Sequence, residues 1–220
     1  MRPRAVIFDL DGTLVDSAGE IHAALAGAFS ERGIEPLPKE RVERLIGRGV
    51  RSLVERALAM RGADAAMTDA MVEAFEAHYA RTVGTHASLF PGTLEGIRIL
   101  RAGEVKLAVV TNKPRAFTEA LLARLGILDS FDAIVAGDDG VAPKPAGDML
   151  AVACARMGST AGNTLMLGDS ETDVRAARAA GCAVWCVPYG YNEGREASTL
   201  ACDRIVATIE EAARRLVEAV

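Results

Sequence analysis

Near its amino end the chain reads AVIFDLDGT, residues 5–13. The four apolar residues that open it form a short run of the kind that suits a strand buried on both faces of a parallel sheet. Asp9 and Asp11 follow, and because residues two apart in an extended segment project to the same side, both carboxylates are aimed into one site. Gly12 permits a tight turn that leaves backbone amides free to approach an anion. The stretch therefore predicts a buried strand that ends in acidic chemistry.

Similar apolar runs recur later in the chain, at residues 107–110, 133–135, 165–167 and 183–187. Helical patterns lie between or after them, at 115–125, 149–157, 171–180 and about 208–217. Such an alternation of strand and helix is typical of an open α/β fold. We expect a doubly wound, mostly parallel, Rossmann-like sheet.

The interval 16–82 breaks this rhythm, since it holds helical patterns and no convincing strand. The patterns cover residues 21–32, 38–45, 51–60 and 67–80. We expect a small all-helical cap domain, residues 16–82, inserted after the first strand, and a catalytic core made of residues 1–15 and 83–220. Because the insertion leaves the core directly after the loop of the first strand, the cap should cover that loop.

Polar residues come directly after two more of the predicted strands. Thr111 and Asn112 follow the run 107–110, and Asp169 follows the run 165–167 after one glycine. Ligands of open α/β sheets bind beyond the carboxyl ends of the strands. These side chains should therefore converge with Asp9 at one edge of the sheet, under the cap.

Acidic residues dominate this predicted site. Asp169 and Asp173 add two carboxylates to those of Asp9 and Asp11. Like charges this close raise one another's pKa unless cations neutralise them. Oxygen ligands without cysteine or histidine favour Mg²⁺, which commonly joins one or two carboxylates to a substrate phosphate. Lys144, between two prolines, can supply a further positive charge.

The motifs together resemble the haloacid dehalogenase superfamily over nearly the whole chain. In order they are Asp9 to Thr13, Thr111-Asn112, Lys144, and Gly168 to Asp173. The resemblance implies that Asp9 attacks phosphorus to form an aspartyl-phosphate and that Asp11 acts as general acid and then general base. It also implies that Mg²⁺ is held by the Asp9 carboxylate, the Asp11 backbone carbonyl and Asp169, with Asp173 as an orienting group. Thr111, Asn112 and Lys144 would bind the phosphoryl oxygens.

The substrate class follows from Asp11 and from the insertion. A halide leaves without a proton whereas an alkoxide needs one, so an acid at Asp11 favours a phosphatase over a dehalogenase. Within the superfamily the chain resembles the phosphoglycolate phosphatases in residues 181–183, 189–192 and the cap run 46–50, although Gly147 stands where that group usually has proline. We therefore expect hydrolysis of 2-phosphoglycolate to glycolate and phosphate, with Arg48 of the cap a candidate for pairing with the substrate carboxylate.

Other activities of the same motifs stay open. A sugar-phosphate mutase resembling β-phosphoglucomutase would pass the phosphoryl group to a second substrate molecule, and a pyrophosphatase or nucleotidase would differ in its leaving group. A non-catalytic phosphoester sensor is disfavoured, because such a protein should have lost Asp9 or Asp11, and this chain keeps both.

Composition excludes several classes of partner. The 220 residues are 50% apolar and carry a net charge of -5 with scattered basic residues, so no footprint for nucleic acid is present. No apolar run approaches the roughly 20 residues of a membrane span, and the apolar run before Asp9 is too short for a signal peptide. We expect a cytoplasmic protein, monomer or homodimer, whose partner is a small phosphorylated metabolite rather than nucleic acid or membrane.

Overall fold

A computed structural model describes residues 3–218 of the chain. The strands are β1 Ala5–Phe8, β2 Val15–Asp16, β3 Ser88–Leu89, β4 Lys106–Val110, β5 Ala133–Val135, β6 Thr164–Gly168, β7 Ala183–Cys186 and β8 Arg204–Ile205. The α-helices are α1 Ala18–Glu31, α2 Lys39–Glu43, α3 Val50–Met60, α4 Thr68–Thr82, α5 Thr93–Ala102, α6 Arg115–Arg124, α7 Asp148–Arg156, α8 Glu171–Ala180 and α9 Ile209–Glu218. Short 3-10 helices lie at Ala65–Met67, Leu128–Ser130, Ala161–Asn163, Asn192–Gly194 and Ala197–Thr199.

The main sheet confirms the predicted fold class. Six strands pair in the order β5-β4-β1-β6-β7-β8, and every pairing in this sheet is parallel. All five predicted runs are strands of this sheet. The edge strand β8 and the small antiparallel pair of β2 with β3 were not predicted. Strand β1 lies in the middle, between β4 and β6, which puts its carboxyl end at the centre of one edge of the sheet.

The two faces of the sheet explain why its strands are apolar throughout. In β1, Val6 and Phe8 pack into one hydrophobic cluster with residues of α5, α6 and α9. Ala5 and Ile7 alternate with them and pack into a second cluster with residues of α7 and α8. Because both faces are covered by helices, neither face of β1 carries polar side chains.

Helices α1 to α4 form the segment between β2 and β3. Their ends lie within three residues of the predicted ones, as do those of the predicted helices of the core. Leu25, Leu58, Phe75 and Tyr79 are buried in the larger cluster, so this helical segment shares a continuous apolar core with one face of the sheet. Its division from the core at residues 16 and 82 stays a prediction. The outermost residues of the predicted core, 1–2 and 219–220, lie outside the described part of the chain.

Within residues 3–218, no helix has both the length and the apolar character that crossing a bilayer requires. The four cysteines are free thiols, three of them buried.

Candidate active site

The predicted site residues meet at the carboxyl ends of the three central strands. Phe8 lies opposite Val109 of β4 and Leu167 of β6, so the three strands end level with one another. The residues that follow these strands are therefore neighbours in space: Asp9 and Asp11 after β1, Thr111 and Asn112 after β4, and Asp169 after β6. Parallel pairing in register thus brings together groups that are far apart in the sequence.

Three of the carboxylates form a compact buried cluster. Oxygens of Asp9, Asp169 and Asp173 all lie within 4.8 Å of one another. Burial raises the pKa of Asp9 well above its usual range, with Asp173 and Asp169 adding to the rise and Lys144 opposing it. Burial, followed by the charge of Asp173, raises the pKa of Asp169 to about 7. Such a cluster is favourable only when positive charge compensates it, and its oxygen donors fit a hard divalent cation.

Asp169 is fixed by three hydrogen bonds. Thr13 Oγ1 donates to its Oδ1 at 3.0 Å, and the backbone amides of Tyr191 and Asn192 donate to its Oδ2 at 2.8 and 3.3 Å. Gly190 is required beside it, because a Cβ there would lie 2.2 Å from the Cβ of Asp169. The carboxylate is therefore oriented by a loop that follows β7, which is the kind of support that metal ligands receive.

Lys144 joins two members of the carboxylate cluster. Its Nζ lies 2.7 Å from Asp9 Oδ1 and 2.6 Å from Asp173 Oδ1, and its side chain is only 2% exposed. Burial lowers the pKa of Lys144, but the charges of Asp173 and Asp9 raise it by more, so the net shift is upward and the ammonium stays charged. Lys144 thus provides a permanent positive charge next to the Asp9 carboxylate.

The Asp173 carboxylate makes two separate sets of contacts. Its Oδ2 accepts hydrogen bonds from the backbone amide and the hydroxyl of Ser170 at 3.2 and 2.7 Å, completing a capping box at the start of α8. Its Oδ1 meanwhile accepts from Lys144. The same carboxylate therefore stabilises the helix and positions the lysine.

Asn112 connects three segments rather than standing free. Its Oδ1 accepts from the backbone amide of Lys144 at 3.0 Å, and its Nδ2 donates to the carbonyls of Lys144 and Gly47 at 2.9 and 3.0 Å. Thr111 is buried, and its Oγ1 accepts from the backbone amide of Lys113 at 3.2 Å. Both side chains border the site, while the phosphate-binding role expected of them stays a prediction.

Asp11 has partners that sequence reasoning missed. Its carboxylate accepts from Lys113 Nζ at 2.8 Å on both oxygens and from Ser17 Oγ. Lys113 directly follows Thr111-Asn112, so its position next to the second motif could have identified it as a candidate site residue. What no pattern could show is that its side chain crosses to Asp11, 102 positions earlier in the chain.

A small cavity lies between the core and the helical segment. Both parts of the chain line it. The lining residues from the core are Asp9, Asp11, Thr111, Asn112, Lys113 and Phe117. Those from the helical segment are Ile21, Ile46, Gly47, Gly49, Val50, Leu53, Phe75 and Tyr79. The cavity holds about 480 Å³ of empty space, a figure that includes open solvent at its mouth. The helical segment therefore forms one wall of the site, as expected of a cap.

Arg48 does not reach this cavity, although both of its glycine neighbours line it. Its Nε lies 2.7 Å from Glu193 Oε1, and its side chain is 52% exposed. Arg56 of α3 also pairs with Glu193, at 3.2 Å. The two arginines thus hold the helical segment against the loop after β7.

The tyrosines of that loop attach it to the junction with the helical segment. Tyr191 Oη donates to Asp16 Oδ1 at 2.9 Å and accepts from the backbone amides of Ser17 and Ala18 at 3.0 Å each. Tyr189 Oη donates to the Thr13 carbonyl at 3.0 Å. One short loop therefore orients Asp169, holds the start of α1 and pairs with arginines of the helical segment.

Comparisons with known proteins identify the family to which the chain is similar. A family model of haloacid dehalogenase-like hydrolases matches residues 3–181. The phosphoglycolate phosphatase of Nitrosospira multiformis is 42% identical over 214 residues, covering 96% of this chain and 94% of that protein. That of Thiobacillus denitrificans is 38% identical over 220 residues, covering 98% and 96%.

Solved structures give the same result. A predicted phosphoglycolate phosphatase from Haemophilus somnus superposes with a TM-score of 0.90 at 26% identity, covering 97% of this chain and 98% of that one. The chain belongs to the family of haloacid dehalogenase-like hydrolases. The resemblance that its four motifs predict is confirmed.

Proposed function

We propose that the chain is a magnesium-dependent phosphatase that hydrolyses small phosphate monoesters, with 2-phosphoglycolate as the preferred substrate, through an aspartyl-phosphate at Asp9. The observation that carries the proposal is that Asp9 and Asp11 line one small cavity while Lys144 Nζ lies 2.7 Å from Asp9 Oδ1. Relatives named phosphoglycolate phosphatase at 42% and 38% identity support the choice of substrate. A cytoplasmic location, and a monomer or homodimer, belong to the same proposal.

The nucleophile is the Asp9 carboxylate. Its Oδ1 accepts from Lys144, while within residues 3–218 no group donates a hydrogen bond to its Oδ2. In the first step an Asp9 oxygen bonds to phosphorus and the ester oxygen departs with the bonding electron pair. In the second step a water oxygen attacks the same phosphorus, and Asp9 departs as a carboxylate with release of phosphate.

Asp11 moves the proton in both steps. It donates a proton to the departing alkoxide and then removes one from the attacking water. The Asp9 and Asp169 carboxylates and the Asp11 backbone carbonyl would hold Mg²⁺, which when bound supplies positive charge to the phosphoryl oxygens. Thr111 and Asn112 line the same cavity, and Lys144 is bound to Asp9; all three would bind those oxygens where charge develops.

Hydrolysis of 2-phosphoglycolate with Mg²⁺ tests the proposal directly. Wild-type protein should release glycolate and phosphate in equal amounts, and Asp9→Asn should release neither, because an amide is not a nucleophile. Circular dichroism should show the variant folded, and beryllium fluoride should form its adduct at Asp9 of the wild type. Steady turnover by folded Asp9→Asn would refute the mechanism. Transfer to a second phosphorylated sugar without phosphate release would indicate the mutase instead.

The acid role of Asp11 has its own test. General acid help contributes about 100- to 10,000-fold and matters least for a leaving group that departs readily as an anion. Asp11→Asn should therefore slow ethyl phosphate far more than p-nitrophenyl phosphate. Equal losses for both substrates would remove Asp11 from this role.

A further inference from the structure

Lys113 is a buried cation that the proposed mechanism does not use. It lies in the loop after β4, and its side chain is 6% exposed. Among the described residues it is the sole basic side chain that lines the cavity, whereas Lys144 does not line it and is bound to Asp9 and Asp173. A lysine is rarely buried without a specific partner, so its place in the cavity wall needs an explanation.

We infer that Lys113 selects substrates whose phosphate ester carries a carboxylate next to the ester carbon. This inference rests on the proposed function, since it names the part of the substrate that the same site recognises. The ammonium would pair with that carboxylate while Asp11 faces the leaving oxygen.

The distances allow this pairing. In the proposed reaction the leaving oxygen contacts the Asp11 carboxyl group, and Lys113 Nζ lies 2.8 Å from both oxygens of that group. In 2-phosphoglycolate the carboxylate carbon is two bonds from the leaving oxygen. A substrate whose leaving oxygen contacts Asp11 therefore brings its carboxylate close to Lys113, while both side chains keep the positions that they have in this structure.

Lys113 also keeps a donor for an outside partner. An ammonium has three N–H groups, and two are accounted for by the two oxygens of Asp11. Among residues 3–218 no other group accepts a hydrogen bond from Nζ, and the Tyr79 ring lies with its centroid 5.0 Å from Nζ. The remaining N–H is the natural donor to a substrate carboxylate.

The apolar wall of the cavity makes an ion pair with Lys113 decisive for binding a substrate carboxylate. The rest of the wall is largely apolar, with side chains such as Ile46, Leu53 and Phe75. In such a wall a second negative charge on the substrate would lose its hydration without compensation unless it met a cation. An uncharged alkyl group, in contrast, would gain nothing from Lys113.

Tyr79 keeps the cation in place. Its hydroxyl donates to Glu20 Oε1 at 2.9 Å, and its ring stacks on Phe75 and meets the edge of Phe117, with centroids 5.5 and 5.0 Å away. Glu20 in turn accepts from the backbone amide of Gly84 at 2.9 Å. Because these contacts hold the ring, the Lys113 ammonium is positioned before the substrate binds, which lowers the entropy cost of recognition.

Arg48 is the rival for this role. The sequence places it between two glycines that line the cavity, but its guanidinium pairs with Glu193 on the outside. Arg48 and Lys113 can therefore be compared in one experiment.

The test is the preference for 2-phosphoglycolate over ethyl phosphate, which has a methyl group in place of the carboxylate. The quantity measured is the ratio of the two kcat/KM values, because any effect that acts only through Asp11 lowers both and leaves the ratio unchanged. Lys113→Met should lower the ratio about 10- to 150-fold, the effect of one hydrogen bond between charged groups, chiefly through KM for 2-phosphoglycolate. Lys113→Arg, which keeps the charge, should recover part of the ratio.

Arg48→Met is the matched control. It removes a cation of similar length that pairs at the surface, so the ratio should stay within about fivefold of wild type. A ratio lost in Arg48→Met and kept in Lys113→Met would overturn the inference, as would equal losses on both substrates in Lys113→Met. A wild type that hydrolyses both esters with equal kcat/KM would overturn it as well, while leaving the phosphatase intact.

Binding measurements distinguish a failure of this inference from a failure of the proposed function. The two esters are titrated by calorimetry into Asp9→Asn and into the double variant Asp9→Asn/Lys113→Met. We expect tighter binding of 2-phosphoglycolate in the first and no preference in the second. If the wild type hydrolyses neither ester, the proposed function fails, and the binding preference still decides the role of Lys113. A binding preference that survives in the double variant refutes the role of Lys113 in substrate selection.

Discussion

Replacing Lys144 with methionine should destabilise the protein and abolish its activity. The side chain is 2% exposed and its Nζ lies 2.7 and 2.6 Å from carboxylate oxygens of Asp9 and Asp173. Methionine has nearly the same length but no charge, so the change leaves two buried carboxylates without their cation. Removing one partner of a buried ion pair costs about 3 to 5 kcal/mol, a large part of the roughly 5 to 15 kcal/mol that stabilises a typical domain.

Urea unfolding followed by circular dichroism, in the presence of a chelator so that no metal replaces the lost charge, measures this cost. Lys106→Met is the matched control, because Lys106 pairs with Asp132 at 2.9 Å but is 56% exposed, and exposed pairs contribute about 1 kcal/mol or less. The double variant Lys144→Met/Asp173→Asn should recover much of the stability, since it removes one unpaired carboxylate, and none of the activity. If Lys144→Met lowers the free energy of unfolding no more than Lys106→Met does, the reasoning is wrong.

Three further predictions concern the metal, its support and pH. Adding Mg²⁺ to chelator-treated protein at a hundredfold excess over its Kd should raise Tm by about 5 to 11 °C, because the cation relieves repulsion among buried carboxylates. Calorimetry measures this shift, and an unchanged Tm would contradict the metal site. Gly190→Ala should displace Asp169 and weaken Mg²⁺ binding about 10- to 100-fold in a calorimetric titration, whereas Gly162→Ala, with nothing within 4 Å of the new methyl, should leave it unchanged. The hydrogen bonds from Arg115 hold the pKa of Asp139 below its usual range, so this pair stabilises the fold above about pH 3.9 and the stabilisation is lost as the pH falls through the folded-state pKa. Asp139→Asn should therefore lower stability by about 1 kcal/mol at pH 7, and in urea titrations the difference from wild type should disappear in acid; a difference that persists at pH 2 would contradict this reading.

The strands were predictable because a parallel sheet covered on both faces requires continuous apolar runs, and β1, β4 and β6 have them. Helix α5 was not predicted, and its Gly96 shows why. Glycine weakens a helix in isolation, yet a Cβ at Gly96 would lie 2.7 Å from the backbone of Ile209 in α9, so the close packing of these two helices requires it. Strand β8 is only two residues long, and both residues are exposed, so it contains no buried apolar run.

The site was predictable to the extent that its residues directly follow strands. Asp9, Thr111 and Asp169 had to meet once their strands were parallel neighbours, because the strand ends then lie at one edge. Asn112 differs, since its phosphate-binding role stays a prediction, whereas the structure shows its side-chain amide joining the loops that carry Lys144 and Gly47. A side-chain amide serves either purpose, and only its surroundings decide between them.

The sequence by itself determined which acidic residues belong to the site and the type of sheet that carries them, because both depend on local patterns that read along the chain. Only the tertiary structure decided how the positive charges are distributed: Lys144 with Asp9 and Asp173, Lys113 with Asp11, and Arg48 with Glu193. The physical reason is that a lysine or arginine side chain is long and flexible, so its partner is set by the placement of loops that lie 29 to 145 positions apart in the sequence.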